Sequence, residues 1–221
     1  SQTLGAEKCL SDTAMIGETC IAELDDIRPS QAAVGLFSIK DKAGKIEKEW
    51  AQNELDEYLE EEANPAVISP EGKLHIIDGH HFHYALATAN IPKNKKRSYI
   101  DVIADFRSRS QKEFRDYMIE KKYVYLKSAE FEDICFDELP KSFTALVDNP
   151  YRSLSWIAKE RDCFDKTKTP FAEFLWGQFF KDKGIKLSSS LNAEELGEAV
   201  EKAMELCSSR EASKLPGYIA P

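Results

Sequence analysis

Apolar positions alternate with polar ones along the first half of the chain and recur at helical spacing along the second. Cys20 to Leu24, Pro65 to Ser69, Leu74 to Ile77 and Ser98 to Phe106 read as strands. Ser69-Pro70-Glu71-Gly72 reads as a hairpin turn between the second and third of them. Residues 33–39 suit a short helix or an extended edge. Glu47 to Glu62 reads as a surface helix with Trp50, Leu55, Tyr58 and Leu59 inward. Phe82, Ala85, Leu86 and Ala89 form one apolar stripe, so a helix begins near His80 and runs to about Asn90. Ser110 starts another, with Phe114, Tyr117 and Met118 inward.

From Leu139 onward the pattern predicts helices only: Lys141 to Val147, Tyr151 to Arg161, one capped by Thr169 with Pro170 at its first position, and a last one. That last helix has Asn192 as cap, Glu195 three later, Leu191 stapled on Leu196, and a buried face of Leu196, Ala199, Val200, Ala203 and Cys207. Leu215 to Pro221 reads as a tail. The fold class is α+β: a small mixed sheet with a packed C-terminal helical region. The expected division is an N-terminal arm at 1–19, an α+β domain at 20–126 and a helical extension at 127–221.

The chemistry concentrates at the start of the focal helix. All four histidines, His75, His80, His81 and His83, fall in nine positions around Asp78-Gly79. Gly79 suits a tight turn and Asp78 suits a cap. The first turn of a helix offers unpaired N–H groups and a positive dipole end, which attract phosphate. The same dipole favours neutral imidazole, the form that ligates metal or accepts a proton. On a helical wheel His80 lies opposite the Phe82/Leu86 stripe and reaches solvent. Asp78, His80, His81 and His83 are thus the candidate catalytic set, Asp78, His80 and His81 the candidate metal ligands. Exposed polar residues at a helix start are the plain alternative.

Charge narrows the partners. The net charge is −9 over 221 residues, so long nucleic acid gains nothing from general attraction. A small phosphate-containing ligand is still accommodated. Lys93-Asn94-Lys95-Lys96-Arg97 is the one dense basic run, either an ordinary solvated loop or a rim that draws phosphate toward the histidine helix. No apolar run approaches membrane-spanning length. The five cysteines form no C-x-x-C pair. Cys9 and Cys20 are near enough in sequence to bridge, and the odd count fits a reduced protein equally well. Ser1 in first place leaves two compartments open, cytoplasmic or exported after loss of a leader.

The strand leading to Arg28-Pro29-Ser30-Gln31, the strand Pro65-Ala66-Val67-Ile68, the hairpin, and Ile77-Asp78-Gly79-His80-His81 before a helix resemble the ParB/sulfiredoxin superfamily. Asp148-Asn149-Pro150-Tyr151-Arg152-Ser153-Leu154 and Thr169 to Trp176 resemble its ParB-like nuclease branch. The resemblance covers most of residues 20 to 183. It implies nucleotide phosphate at the focal turn. Gly79, His80, His81 and Arg28 are the candidate phosphate-binding residues, Arg152 is a further one because its guanidinium suits bidentate contacts, and Glu23 or Arg28 is expected to face the same pocket. The resemblance carries over the position of the site and its preference for phosphate, not a specific reaction; the enzyme reading is a nucleotide-dependent phosphotransferase or nuclease, with ATP, CTP or another nucleotide and a divalent metal such as Mg, Mn or Zn. Partitioning ParB proteins carry Glu and Arg where this chain has His80, His81 and Phe82. Sulfiredoxins place a nucleophilic Cys where His80 stands. Free-serine kinases share Asp-Gly-His-His but continue with Arg at the place of Phe82. A non-catalytic ligand sensor or interaction module on the same fold is the alternative function.

Overall fold

The computed structural model describes residues 6–12, 16–189 and 191–221. Residues 1–5 and 13–15 of the expected N-terminal arm lie outside the described residues. The chain divides into two compact units: Ser1–Ala32, Ile39–Lys127 and Asp133–Leu146 form the first, Ala33–Ser38, Ser128–Glu132 and Val147–Pro221 the second. In chain order the elements are β1 Thr19–Glu23, β2 Ile27–Arg28, β3 Ala33–Val34, α1 Lys40–Ala51, α2 Leu55–Glu61, β4 Asn64–Ile68, β5 Leu74–Ile76, α3 His80–Thr88, β6 Arg97–Asp105, α4 Gln111–Glu120, β7 Val147–Asp148, α5 Pro150–Glu160, α6 Ala172–Asp182 and α7 Ala193–Cys207.

The first unit is a five-stranded mixed sheet in the order β1-β6-β4-β5-β2. β1–β6 and β4–β5 are antiparallel, β4–β6 and β2–β5 parallel. The β4–β5 hairpin closes as expected, with Gly72 at φ 81° donating its N–H to the Ser69 carbonyl. Ala66, Ile68, Leu74 and Ile76 are fully buried on one face. Each large apolar side chain so buried stabilises the fold by roughly 1.5–3 kcal/mol. On the other face Val67 packs with Phe106, and with Phe114 and Met118 of α4. The predicted single helix over 47–62 is instead two, α1 and α2, because Asn53 takes a left-handed φ of 58° between them. An Asn tolerates that conformation at small steric cost.

The second unit has a two-stranded parallel sheet, β3 with β7, and three α-helices among the described residues. The helix expected over Lys141 to Val147 is absent; a short 3-10 turn at Phe143–Ala145 leads into β7. The strand conformation of β7 comes from its partner, Ala33–Val34, far away in sequence. Asn149 caps α5 through its side-chain oxygen, with Pro150 at the first helical position. α6 begins at Ala172 after Phe171 in a left-handed conformation, so Thr169 is not its cap. Asn192 caps α7, and the expected face of Leu196, Ala199, Val200, Ala203 and Cys207 is buried. Glu195 turns away from a capping box and bonds Ser188. The C-terminal segment is fastened: the Trp176 indole N–H donates to the Pro216 carbonyl at 2.7 Å, and Trp176 stacks on Phe164.

Cys9 pairs with Cys20, one of the two states the sequence left open, and Cys163 pairs with Cys207 in the second unit. The latter link spans 44 residues, so opening it should lower stability by about 2–4 kcal/mol. Cys207→Ser is a clean probe, because the Ala203 carbonyl, 3.0 Å from the Cys207 sulfur, can accept from a serine hydroxyl. Urea denaturation should show that loss without reductant, and the reduced parent should fall to match the variant. Equal midpoints for parent and variant under oxidising conditions would show that the link contributes nothing.

Candidate functional site

β5 ends at Ile76, and Asp78-Gly79 turns the chain into α3. Gly79 adopts φ 87°, and a Cβ there would collide with the Asn64 side chain, so this turn requires glycine twice over. Gly79, not Asp78, is the cap residue, and it caps without a side chain. The exposed Asp78 carboxylate accepts the Gly79 N–H at 2.8 Å.

The histidines are not arranged as the helical wheel suggests. His80 is 3% and His83 0% exposed. The His80 Nε2 accepts the Ser30 N–H at 2.8 Å, so this nitrogen is a lone pair facing protein rather than solvent. Ser30 in turn donates its hydroxyl to the Ile76 carbonyl at 2.5 Å, and its own carbonyl accepts from Tyr125. The His83 Nδ1–H donates to the Gly79 carbonyl at 2.7 Å, and Nε2 accepts from the Ser98 hydroxyl at 2.8 Å. Burial pushes His83 down to about 4, against the effect of the Gly79 bond, so it is neutral. Its ring stacks on Phe143 with centroids 5.1 Å apart. Solvent exposure of His80, expected from the wheel, is therefore corrected. α3 is covered by α1 on one side and the Phe143–Ala145 turn on another, so more than one stripe is buried. His81 is half-buried in the first turn.

Asp78, His80, His81 and His83 consequently do not line one open pocket. Among the described residues no three His, Cys, Asp or Glu side chains gather as a metal site would, so Asp78, His80 and His81 are not a ligand set. The physical reason is that the ring nitrogen His80 would offer is taken by Ser30. His75, which the sequence set aside, lies on β5 with its ring edge against Phe114 at 4.9 Å. Burial first, then the charges of Arg28 and Arg115, push it down to about 4. Its Nδ1 is buried without a partner.

An open cavity of about 900 Å³ lies at the other end of α3. Arg28, Lys93, Lys96 and Lys141 line it, with Glu23 and Asp25, so its charged lining is 4 − 2 = +2 in a chain of net −9. Leu24, Ala87, Ile91 and Phe143 supply apolar wall. The Arg28 Nη1 donates to the Asp25 carbonyl at 2.6 Å, which anchors the guanidinium at the rim. Lys96 bonds the Ala87 carbonyl at 2.6 Å, near the negative end of α3. Lys93 meets Asp25 at 3.6 Å, both highly exposed. Lys141 makes no ion pair among the described residues. Two basic residues of the Lys93–Arg97 run thus reach a cavity that also holds Arg28 and Glu23, and Lys141 was not foreseen. Nothing in its sequence neighbourhood marks it; only the turn at Phe143 brings it there.

Arg152 belongs to the second unit. Its guanidinium lies over the Phe174 ring at 5.6 Å. Burial works to raise the nearby Glu173 carboxyl, but Arg152 and the hydrogen bond from Lys159 outweigh it and hold that carboxyl low.

A five-stranded mixed sheet with an Asp-Gly turn leading into α3 defines a ParB-like protein. The family described as "Putative ParB-like nuclease" matches residues 20–182, and the chain belongs to that family. Among solved structures it is similar to the crystal structure of protein Atu1540 from Agrobacterium tumefaciens, with a TM-score of 0.76 and 26% identity over 92% of this chain and 98% of that one. No curated protein matches it. No helix among the described residues is long and apolar enough to cross a membrane.

His75 and His83 set a pH dependence. Their pKa values fall from 6.5 in the unfolded chain to about 4 in the fold. Between those values the unfolded chain binds more protons, so stability is full above pH 6.5 and falls as pH drops toward 4. A lowering of this size corresponds to about 3 kcal/mol per histidine. Urea midpoints measured from pH 7.5 to 4 should show that slope, and His83→Gln, though less stable at neutral pH, should lose about half of it. A slope unchanged in His83→Gln would mean that other groups titrate there.

Proposed function

We propose that this ParB-like chain binds a small phosphate-bearing ligand in the cavity beside α3, with phosphate on Arg28, Lys96 and Lys141. The observation behind this reading is the convergence of four cations on one cavity of an acidic protein. Guanidinium and ammonium donors in a partly walled site bind oxyanions by charge-assisted hydrogen bonds. Phe143, Ile91 and Leu24 offer an apolar surface for a ring, and Glu23 and Asp25 would accept from hydroxyl or amino groups. A nucleotide such as ATP or CTP, the ligand class implied by the family resemblance, meets those demands.

A phosphotransferase or nuclease reaction would rest on groups that still reach solvent near the Asp-Gly turn, namely Asp78 and His81, and would require a ligand that extends along α3 from the cavity, because neither residue lines it. His80 and His83 would serve it by position only. A divalent ion such as Mg, Mn or Zn would find Asp78 and His81 as protein donors and would need ligand oxygens or water to complete its shell. The engagement of His80 and His83 in internal hydrogen bonds favours, as a second reading, a binding or sensing module without catalysis.

Titration calorimetry with ATP, CTP and inorganic phosphate, each with and without Mg, Mn or Zn, separates these readings. Arg28→Ala and Lys141→Ala should each weaken binding by roughly tenfold, in line with the loss of one charge-assisted bond. Added salt should weaken it further. Turnover of a phosphodiester that is lost in Asp78→Ala would support the enzyme; binding without turnover would support the sensor. No binding of any of the three ligands by the parent would remove the phosphate reading.

A further inference from the structure

β1 is an edge strand of the five-stranded sheet, yet its outer edge is covered. Residues 7–9 run beside it. Lys8 forms a parallel bridge with Ile21, the Ile21 N–H donates to the Glu7 carbonyl at 2.9 Å, and the Cys9 N–H donates to the Ile21 carbonyl at 3.0 Å. The Cys9–Cys20 disulfide fastens this segment to the strand it covers. The other contacts are modest: Arg107 donates to the Ser11 carbonyl at 3.1 Å, and Cys9 is the one fully buried residue of the described stretch 6–12. A few such bonds and one small buried side chain do not match the conformational entropy of fixing the segment, so the covalent link decides whether it stays. The two disulfides differ in kind. Cys163 and Cys207 are 3% and 4% exposed, lie within the core of the second unit and stand 44 residues apart. Cys9 and Cys20 are only 11 residues apart, and Cys20 is half-buried at the sheet edge. A sulfur that an outside thiolate can reach, in a short loop, is the labile kind.

We propose that Cys9–Cys20 is a redox latch, opened by a dithiol reductant, that holds residues 7–9 as a strap over the outer edge of β1. A reductant thiolate attacks the half-buried Cys20 sulfur, and Cys9 leaves as a thiolate and takes a proton. The second reductant thiol then attacks the mixed disulfide, closes the reductant's own disulfide and expels Cys20, which is protonated in turn. Two electrons and two protons pass to the protein, and the dithiol is oxidised. The new Cys20 thiol has an acceptor at hand in the Ile100 carbonyl, 3.5 Å from its sulfur. Once the strap has left, both backbone groups of Ile21 face water. β1 ends at Glu23 in the cavity wall, so opening the latch frees the outer edge of a strand that borders the cavity. The latch does not depend on what the cavity binds.

Alkylation with peptide mapping, combined with hydrogen–deuterium exchange of the full chain, tests it. Air-oxidised protein is titrated with dithiothreitol in native buffer. Cys9 and Cys20 should become alkylated at a dithiothreitol concentration about tenfold or more below that needed for Cys163 and Cys207. Cys135, exposed and outside both disulfides, should be alkylated throughout and serves as the internal control. In the half-reduced state the Ile21 amide should exchange about tenfold faster than in the oxidised chain, while residues 98–102 of β6 keep their protection. Cys9→Ser should show the fast exchange without reductant and no response to it. If that variant does not fold, Cys20→Ser takes its place, and failure of both to fold would make the link structural and overturn the latch. Ile21 exchange unchanged by reduction, simultaneous opening of both disulfides, or Cys9 and Cys20 still alkylated after air oxidation would each overturn it as well.

Discussion

The first unit hangs on two neutral imidazoles that do the work of backbone hydrogen bonds. His80 ties the start of α3 to Ser30, just past β2, and Ser30 ties itself to the end of β5 and to Tyr125. His83 ties the Asp-Gly turn to Ser98 on β6. Four segments distant in sequence thus meet at the first turn of one helix. The bonds that His80 and His83 accept at Nε2 require an unprotonated nitrogen, so the arrangement holds only while the rings are neutral. Burial supplies that condition for His83. A helix N-terminus, whose dipole opposes an imidazolium, reinforces it.

This changes what a cluster of histidines means here. Side chains able to ligate metal or move protons were expected to do so because they crowd the mouth of a phosphate-attracting turn. Instead two of them are consumed in fixing that turn, and the basic residues of the neighbouring loops line a cavity at the far end of the same helix. The two are linked by Phe143, which stacks on His83 and also forms part of the cavity wall. The histidines bear on the cavity by placing its wall, while Arg28 and the lysines supply its charge. Such a division suits an acidic protein. Net negative charge repels long nucleic acid, yet a local excess of cations within a Debye length of the ligand still governs a small anion.

Much of the scaffold was legible in the chain. Alternation marked β1, β4, β5 and β6, the Ser69–Gly72 turn announced its hairpin, and Asn149 and Asn192 announced α5 and α7. These are local signals, set by period and by capping chemistry. What escaped depends on distant partners. β7 exists because Ala33–Val34 pairs with it, and the residues before it lack any strand-like period. Cys163 and Cys207 lie 44 residues apart, with nothing in that spacing to join them. The expected exposure of His80 failed for a related reason. A helical wheel drawn from apolar residues alone finds one buried stripe and sends His80 outward. α3 is covered on more than one side, and a neutral imidazole with both nitrogens bonded is at home in such a core. The Asp-Gly turn itself was legible, because its demand for glycine is steric and local.

The same contact ties the shape of the cavity to protonation. Protonating His83 would turn its Nε2 from an acceptor into a donor, and the Ser98 hydroxyl could no longer donate to it. The ring would then carry charge inside an apolar setting, stacked on Phe143. The least costly response is for the turn at Phe143–Ala145 to give way, since it is a short 3-10 turn with Thr144 and Ala145 exposed, whereas β6 and α3 are held by full ladders of bonds. Movement there displaces Phe143, Ser142 and Thr144 from the cavity wall and takes Lys141 with them. Acid would thus remove a cation and an apolar wall from the cavity before the unit unfolds. Local opening of this kind requires less free energy than global unfolding, and it falls where backbone bonds are fewest.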